Sequence, residues 1–202
     1  MELLVPYYEH PSLRPAEWDA LIAAAPRLYG VVVNPASGAG DAPDPAFAAV
    51  ARRLRAAGTR VLGYTDTDYG RRPHAAVVTD LVRHRDWYGA DGAFFDQVPT
   101  EPGAAGHYRR LGVAARAAGA ATVVLNHGAA PDPAYDTLAD LLVTFEGPWE
   151  TYRTAKAPAA GHHCHLVYAA PASARLSTRV GCAVPGTGAH PWGTLPHALE
   201  CP

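Results

Sequence analysis

The sequence predicts an α/β protein of the (β/α)8 type, a compact TIM-like barrel in which some C-terminal helices are shortened. Three observations support this: eight short apolar runs, helix-forming segments between them, and polar residues directly after several runs. Runs that are apolar throughout are typical of parallel strands buried on both faces. Eight such units favour a closed barrel over an open doubly wound sheet. The chain has 202 residues, which is short for this fold, so we expect turns in place of some later helices.

The predicted strands are short runs of branched and aromatic residues bounded by turn signals. Residues 30–34, for example, read Gly-Val-Val-Val-Asn and stop at Pro35, which has no amide to donate to a sheet. The eight predicted strands cover residues 3–7, 30–34, 60–64, 93–96, 121–126, 141–145, 165–168 and 180–184.

Helix signals lie between these runs and are strongest early in the chain. Pro15 stands at a first-turn position, and Trp18 begins a set of apolar residues at helical spacing. Phe47 and Val50 share one face of the next helix, and Gly58 suits its C-terminal end. After the helix beginning near Pro15, the predicted segments are helices at 45–57, 74–87, 106–118, 135–139 and 172–178, and a helical turn at 149–154.

Composition limits the partners of the chain. The net charge is −2 and no basic block occurs, which argues against a nucleic-acid or anionic-membrane partner. No apolar run approaches the roughly 20 residues that span a bilayer. We find no linker and no cofactor motif, so we predict one domain over residues 1–202 that needs no cofactor. The oligomeric state is left open.

The N-terminus and the cysteines bear on the compartment. Met1 lies two residues before the first predicted strand, with no leader pattern before it, which predicts a cytoplasmic protein as the chain stands. A secreted protein is the alternative if a leader has been removed. The three cysteines lack a CxxC spacing and are expected to be reduced thiols, although export would allow a Cys182–Cys201 bridge.

Polar and aromatic residues follow most predicted strands and should line one pocket of a barrel. Aromatic faces with amide and carboxylate groups suit a sugar, and the lack of a Lys or Arg cluster disfavours a phosphate substrate. The candidate substrate-binding residues at these positions are Tyr7, Tyr8, Asn34, Tyr64, Asp66, Gln97, Asn126, His127 and Tyr168. The alternative for the asparagines is turn formation, and for the tyrosines ordinary packing.

Two carboxylates end apolar runs, Asp96 after residues 93–95 and Glu146 after residues 141–145. Two strand-end carboxylates facing one pocket suggest the acid and base of a glycosidase. The alternative is that each caps the following helix, which is common for Asp but not for Glu. We therefore predict Asp96 and Glu146 as the catalytic residues.

Two further patterns are weak. Gly38-Ala39-Gly40 lacks the Lys-Ser/Thr of a phosphate loop and the third glycine of a dinucleotide fingerprint. His162-His163-Cys164-His165 looks like a metal cluster, but successive residues on a strand point to opposite faces and cannot all reach one ion. We therefore predict no metal site.

Several motifs occur in a specific order along nearly the whole chain. They are Val-Pro-Tyr-Tyr at 5–8, Asn-Pro-Ala-Ser-Gly-Ala-Gly at 34–40, Gly-Tyr-Thr-Asp-Thr-Asp-Tyr-Gly at 63–70, Trp-Tyr at 87–88, Asp-Gly-Ala-Phe-Phe-Asp-Gln at 91–97 and Pro-Trp-Gly-Thr-Leu-Pro at 191–196. This set resembles the spherulin-4 (spherulation-specific family 4) proteins. Members include microbial endo-α-1,4-galactosaminidases, which are glycoside hydrolases with a compact (β/α)8 barrel. The resemblance implies hydrolysis of an α-linked amino-sugar polymer or oligosaccharide.

The resemblance also implies roles for individual residues. Asp96 matches the family's acid at the end of the fourth strand and would be the nucleophile or transition-state stabiliser. Glu146 matches a later glutamate and would be the general acid/base. With these roles, we expect the sugar platform to be formed by four aromatic residues, Tyr7, Tyr64, Tyr69 and Trp192.

One position departs from the family pattern, because Gln97 stands where a glutamate usually follows the aspartate. An amide does not exchange protons near neutral pH, so this residue is expected to hold a sugar hydroxyl. The departure motivates an alternative, a non-hydrolytic carbohydrate-binding barrel. A third possibility is a barrel enzyme recruited to another small molecule, motivated by the missing leader sequence.

Overall fold

In the computed structural model, which describes residues 1–199, eight parallel strands close into a barrel. The strands are β1 (Glu2–Pro6), β2 (Leu28–Val33), β3 (Val61–Asp66), β4 (Gly92–Asp96), β5 (Thr122–Asn126), β6 (Leu141–Pro148), β7 (His163–Tyr168) and β8 (Val180–Ala183). Each strand pairs with the next along the chain, and β8 closes the barrel on β1. The predicted fold class is confirmed.

The helices cover the barrel unequally. Four full helices connect the first five strands: α1 (Pro15–Ala23), α2 (Pro45–Ala56), α3 (His74–Tyr88) and α4 (Ala105–Ala117). Later connections hold only a 3-10 turn at Pro133–Tyr135 before β6 and the four-residue α5 (Trp149–Tyr152) before β7. The expected shortening of the later helices is therefore confirmed.

Two predicted short helices were wrong. Residues 135–139 do not form a helix, because the segment begins as the 3-10 turn and then returns directly to β6. Residues 172–178 contain turns and bends, and the connection from β7 to β8 is shorter than the dozen or more residues that a helical crossover needs.

Local signals explain the helices that do form. The Asp44 carboxylate accepts the amides of Ala46 and Phe47 and caps α2, with Pro45 in the first turn. Gly58 follows this helix at φ +86°, a left-handed conformation that glycine adopts without strain.

The contact between β3 and α3 is unusually close. A Cβ atom added at Gly63 would lie 2.3 Å from Cγ of His84, so the histidine ring packs directly on the strand backbone. Nε2 of His84 donates to the carbonyl oxygen of Tyr64 at 2.7 Å. Burial lowers the pKa of His84 to about 4, so the ring is neutral at physiological pH.

Two other features bear on the sequence predictions. Within residues 1–199, no helix has both the length and the apolar character needed to cross a membrane. Cys164 and Cys182 are buried free thiols. The alternative bridge from Cys182 to Cys201 involves a residue outside the described part of the chain.

Candidate active site

Asp96, Asn126 and Glu146 lie together because of the strand order. Asp96 and Asn126 end β4 and β5, and Glu146 lies near the end of β6. Since β5 runs between the other two strands, its last residue lies between the two carboxylates. Nδ2 of Asn126 donates to Oδ1 of Asp96 at 2.7 Å and to Oε2 of Glu146 at 2.6 Å. One amide therefore joins both acids at the end of the barrel where (β/α)8 enzymes hold their active sites.

The other carboxylate oxygens also have donors. The hydroxyl of Tyr64 donates to Oδ2 of Asp96 at 2.7 Å, and Nε1 of Trp192 donates to Oε1 of Glu146 at 3.1 Å. The ring of Tyr8 packs edge-on against Tyr64, with centroids 5.7 Å apart. Neither carboxylate caps a helix, since α4 and α5 follow Ala104 and Pro148.

The surroundings raise the pKa values of both acids. Burial is the main cause of the raised pKa of Glu146, and the charge of Asp96 adds to it, against hydrogen bonds from Asn126 and Trp192. Burial also raises the pKa of Asp96, but hydrogen bonds from Tyr64, the Gln97 backbone and Asn126 favour its anion. Asp96 therefore has more donors that favour the charged form.

The carboxylates open into a pocket of about 330 Å³. Its lining has no Lys or Arg and carries two acids, so it favours neutral or cationic ligands. The lining residues are Tyr69, Asp96, Gln97, Asn126, His127, Gly128, Glu146 and Tyr168.

Most of the predicted residues therefore meet at one site. Tyr69 is 54% exposed at the pocket, and Tyr168 lies edge-on to Trp192 with centroids 6.2 Å apart. Nδ1 of His127 donates to the carbonyl oxygen of Pro99, and burial lowers the pKa of this histidine to about 4. The neutral ring of His127 therefore adds no charge to the pocket.

Three predicted residues have other contacts. Tyr7 is fully buried with its ring against Trp18 of α1, on the helix side of the barrel wall and away from the carboxylates. Asn34 accepts the Gly38 amide at 2.8 Å, and Asp66 accepts the Asp68 amide at 2.7 Å. Both side-chain oxygens organise turns at the ends of their strands, which for Asn34 was the alternative given above.

Thr67 is a supporting residue that sequence reasoning missed. Its hydroxyl lies 2.7 Å from the carbonyl oxygen of Asp96 and 3.1 Å from that of Gln97. The hydroxyl of Tyr108 lies 2.6 Å from the same atom. Gln97 has φ +55°, a conformation that costs free energy for a residue other than glycine. The amide of Tyr69 also donates to Gln97, so two neighbours hold this backbone. The sequence signal that could have identified Thr67 is its position directly after the third predicted strand, inside the motif at 63–70.

The protein is therefore a parallel (β/α)8 barrel of the class that holds a hydrogen-bonded carboxylate pair at its strand ends. The chain belongs to spherulation-specific family 4, whose family model matches residues 2–187. It is 30% identical over 151 residues to Spherulin-4 of Physarum polycephalum. That match covers 72% of this chain but 45% of the relative, so the chain spans under half the length of the curated protein it matches.

Solved structures share the fold. Sph3 of Aspergillus clavatus, determined in complex with GalNAc, superposes with a TM-score of 0.84 at 23% identity, covering 98% of this chain and 94% of Sph3. The chitinase RmChi1 of Rhizomucor miehei gives a TM-score of 0.53 at 14% identity, covering 82% of this chain and 68% of the chitinase. The barrel fold is thus shared with a protein determined in complex with a sugar and with a chitinase.

Proposed function

We propose that this protein is a glycoside hydrolase acting on an α-linked amino-sugar poly- or oligosaccharide of the galactosamine type. The observation that carries the proposal is the carboxylate pair joined by Asn126. Both bonded oxygens accept from one nitrogen, so they are no further apart than the two bonds together, about 5.3 Å. Retaining glycosidases place their two carboxyl groups about 5–5.5 Å apart, and inverting ones about 6.5–9.5 Å.

The spacing supports a two-step mechanism. Asp96 attacks the anomeric carbon as a carboxylate while Glu146, protonated, gives its proton to the leaving glycosidic oxygen. Glu146 then takes a proton from a water molecule, whose oxygen bonds to the anomeric carbon and releases Asp96. The roles follow from the surroundings: three hydrogen bonds favour the Asp96 anion, whereas burial and the charge of Asp96 raise the pKa of Glu146 and favour its protonated form.

The pocket chemistry supports an amino sugar. Its lining combines two acids with aromatic rings and has no Lys or Arg, so it complements a sugar that carries an amino group. Tyr69 and Tyr168 offer ring faces or edges to the C–H groups of the sugar, and Gln97 offers an amide to its hydroxyls. The GalNAc in the Sph3 complex belongs to the same hexosamine class, with its nitrogen acetylated and uncharged.

A specific observation favours a second candidate, a carbohydrate-binding barrel without hydrolysis. Gln97 lines the pocket beside Asp96 where the family usually carries an acid. If that acid is required for turnover, this chain would bind glycans and leave them intact. The proposed pair Asp96 and Glu146 does not need it.

The test is a panel of galactosamine oligomers, N-acetylated and partly deacetylated, with products identified by mass spectrometry. Parent, Gln97→Glu and Glu146→Gln proteins are compared under the same conditions. Shorter oligomers released by the parent and not by Glu146→Gln support the hydrolase. Binding without release by the parent, with release by Gln97→Glu, supports the second candidate. Neither binding nor release contradicts both and favours an enzyme recruited to another small molecule.

A further inference from the structure

A cluster of metal-ligand side chains lies at the opposite end of the barrel from the carboxylates. His162 and His163 stand where the chain enters β7, and the Leu142 amide at the start of β6 donates to the His162 carbonyl oxygen. Asp136 comes from the connection between β5 and β6, just after the 3-10 turn. Glu146 lies further along β6, at its other end. The cluster is therefore separate from the candidate active site.

The spacing of the ligand atoms suits one metal ion. One carboxylate oxygen and one nitrogen from each imidazole lie within 4.8 Å of one another. Nε2 of His162 is 3.5 Å from Oδ1 of Asp136. A tetrahedral Zn²⁺ with bonds of about 2.0–2.1 Å holds neighbouring ligand atoms about 3.3 Å apart. One pair thus already has nearly the required separation, and the other separations, which are at most 4.8 Å, would have to shorten by up to about 1.5 Å.

The hydrogen bonding of the same His162 imidazole also points to a ligand. Nε2 of His162 is shielded from solvent, although the side chain is 36% exposed, and within residues 1–199 it makes no hydrogen bond, not even to the Asp136 oxygen 3.5 Å away. The His163 ring lies 4.6 Å from the His162 ring, and its Nδ1 accepts the Ala160 amide at 3.1 Å. That amide occupies the lone pair of Nδ1, so Zn²⁺ would have to displace it in order to bind this nitrogen. The Asp136 side chain is 47% exposed, which gives an ion access.

We propose that Asp136, His162 and His163 bind one Zn²⁺ per chain, with water in the remaining position. Two imidazoles and one carboxylate are a ligand set that zinc accepts. The ion would join the β5–β6 connection to the entry of β7, where short turns replace the helices of the earlier connections. At the N-terminal end of a barrel, such a site acts on stability and not on the reaction.

The site departs from our expectation of no metal, for a physical reason. Alternation of faces applies within a strand, and His162 precedes β7, so it and His163 both turn toward Asp136. His165 is separate, since its nitrogens contact the hydroxyl of Tyr152 and the carbonyl oxygen of Pro158. The contribution of Asp136 is a tertiary contact that spacing along the chain does not reveal.

The test is Zn²⁺ titration by calorimetry and thermal unfolding, on untagged protein first freed of metal with a chelator. We expect one Zn²⁺ per chain and a Tm rise of about 5–10 °C at about 100 times the Kd. His162→Ala and Asp136→Asn should each weaken binding at least about tenfold. His10→Ala is the matched control, because His10 pairs with Asp44 at 3.0 Å without a second imidazole. Its Zn²⁺ response should match the parent's.

Equal Zn²⁺ affinity in parent, His162→Ala and Asp136→Asn would overturn the proposal, as would no saturable binding to the parent. Co²⁺ supplies a readout that needs no variant, since tetrahedral coordination by the parent gives visible absorption bands. Their absence at saturating Co²⁺ also counts against the site. Zn²⁺ is expected to leave glycan cleavage unchanged. The Zn²⁺ titration therefore tests the metal site alone, and the glycan cleavage assay tests the proposed hydrolase alone.

Discussion

Two regions of the barrel bury titratable side chains in different ways. At the strand ends, Asp96 and Glu146 share one amide and face an open pocket, and the surroundings raise both pKa values. Beside β3, His84 packs on Gly63 and its pKa is lowered to about 4. The first region brings two acidic side chains together, whereas the second buries one neutral ring.

The difference shows that burial and a shifted pKa do not by themselves mark a functional site. His84 has a strongly shifted pKa, yet its ring is wedged against a strand and only Nε2 has a hydrogen-bond partner. The carboxylates differ because they are paired, bonded through one residue and open to a ligand. We therefore expect substitutions at the strand ends to reduce activity, and substitutions beside β3 to reduce stability.

The largest expected effect is that of Glu146→Gln. An amide cannot supply the proton to the leaving group, and general acid catalysis contributes about 10²–10⁴-fold, so kcat should fall about 10³-fold. The Tm near pH 7 should be equal or higher, because folding disfavours the ionised form of Glu146, which an amide cannot adopt. Glycan cleavage and thermal unfolding measure the two effects. Glu150→Gln, an exposed glutamate on α5, is the matched control. A rate within twofold of the parent would show that Glu146 is not the acid.

Asn126→Ala should have the next largest effect. It removes the donor that holds both carboxylates, and loss of one such donor costs about 10²-fold in kcat. Asn34→Ala is the comparison, because Asn34 also ends its strand region but accepts the Gly38 amide in a turn. It should lower Tm and leave kcat nearly unchanged. Equal losses of kcat in the two variants would mean that Asn126 does not position the acids.

Gly63→Ala tests the other region. The new methyl group would meet Cγ of His84 at 2.3 Å, and overpacking of this kind costs about 1–3 kcal/mol of unfolding free energy. Urea unfolding measures the loss. Gly103→Ala is the control, since no atom lies within 4 Å of its Cβ position. The double variant Gly63→Ala with His84→Ala should lose less than the two single variants together. Strict additivity would show that the contact is not the cause.

The site was predictable where it depends on strand order. Asp96, Asn126 and Glu146 end apolar runs, and parallel strands bring such ends to one rim, so their proximity follows from the sequence. The sequence does not specify which way the first side chain after a strand points. Tyr7 was therefore placed in the pocket, although its ring packs on Trp18.

The fold was predictable for similar reasons. The prediction failed only for two short helices in the later connections. Segments such as α2 carry a cap, a first-turn proline and an apolar face, so local signals agree with the tertiary structure. Residues 135–139 and 172–178 have helix-forming composition, but segments this short gain little from composition and depend on tertiary packing, as the four-residue α5 shows. Whether such a segment is helical depends on the space between neighbouring strands, which local composition does not encode.

The smallest expected effect is a pH-dependent difference in stability between the parent and Glu146→Gln. Because the folded-state pKa of Glu146 is raised, folding favours its protonated form. This contribution is complete below the unfolded-state pKa and is lost as pH rises through the folded-state pKa. The Tm of Glu146→Gln should thus equal that of the parent at about pH 4 and exceed it increasingly toward pH 7. Parallel Tm curves would mean that the pKa is not raised.

The contribution of His84 to stability changes with pH in the opposite direction to that of Glu146. The pKa of His84 is lowered to about 4, so its contribution to stability is present above its ordinary pKa of 6.5 and is lost as pH falls toward 4. Both proteins contain His84, so this loss lowers both Tm values in acid and cancels in their difference. The absolute curves therefore report the buried histidines together, His84 and His127 among them, and the difference between the curves reports Glu146. A difference that instead narrows between pH 5 and 7 would assign the titration to a group other than Glu146.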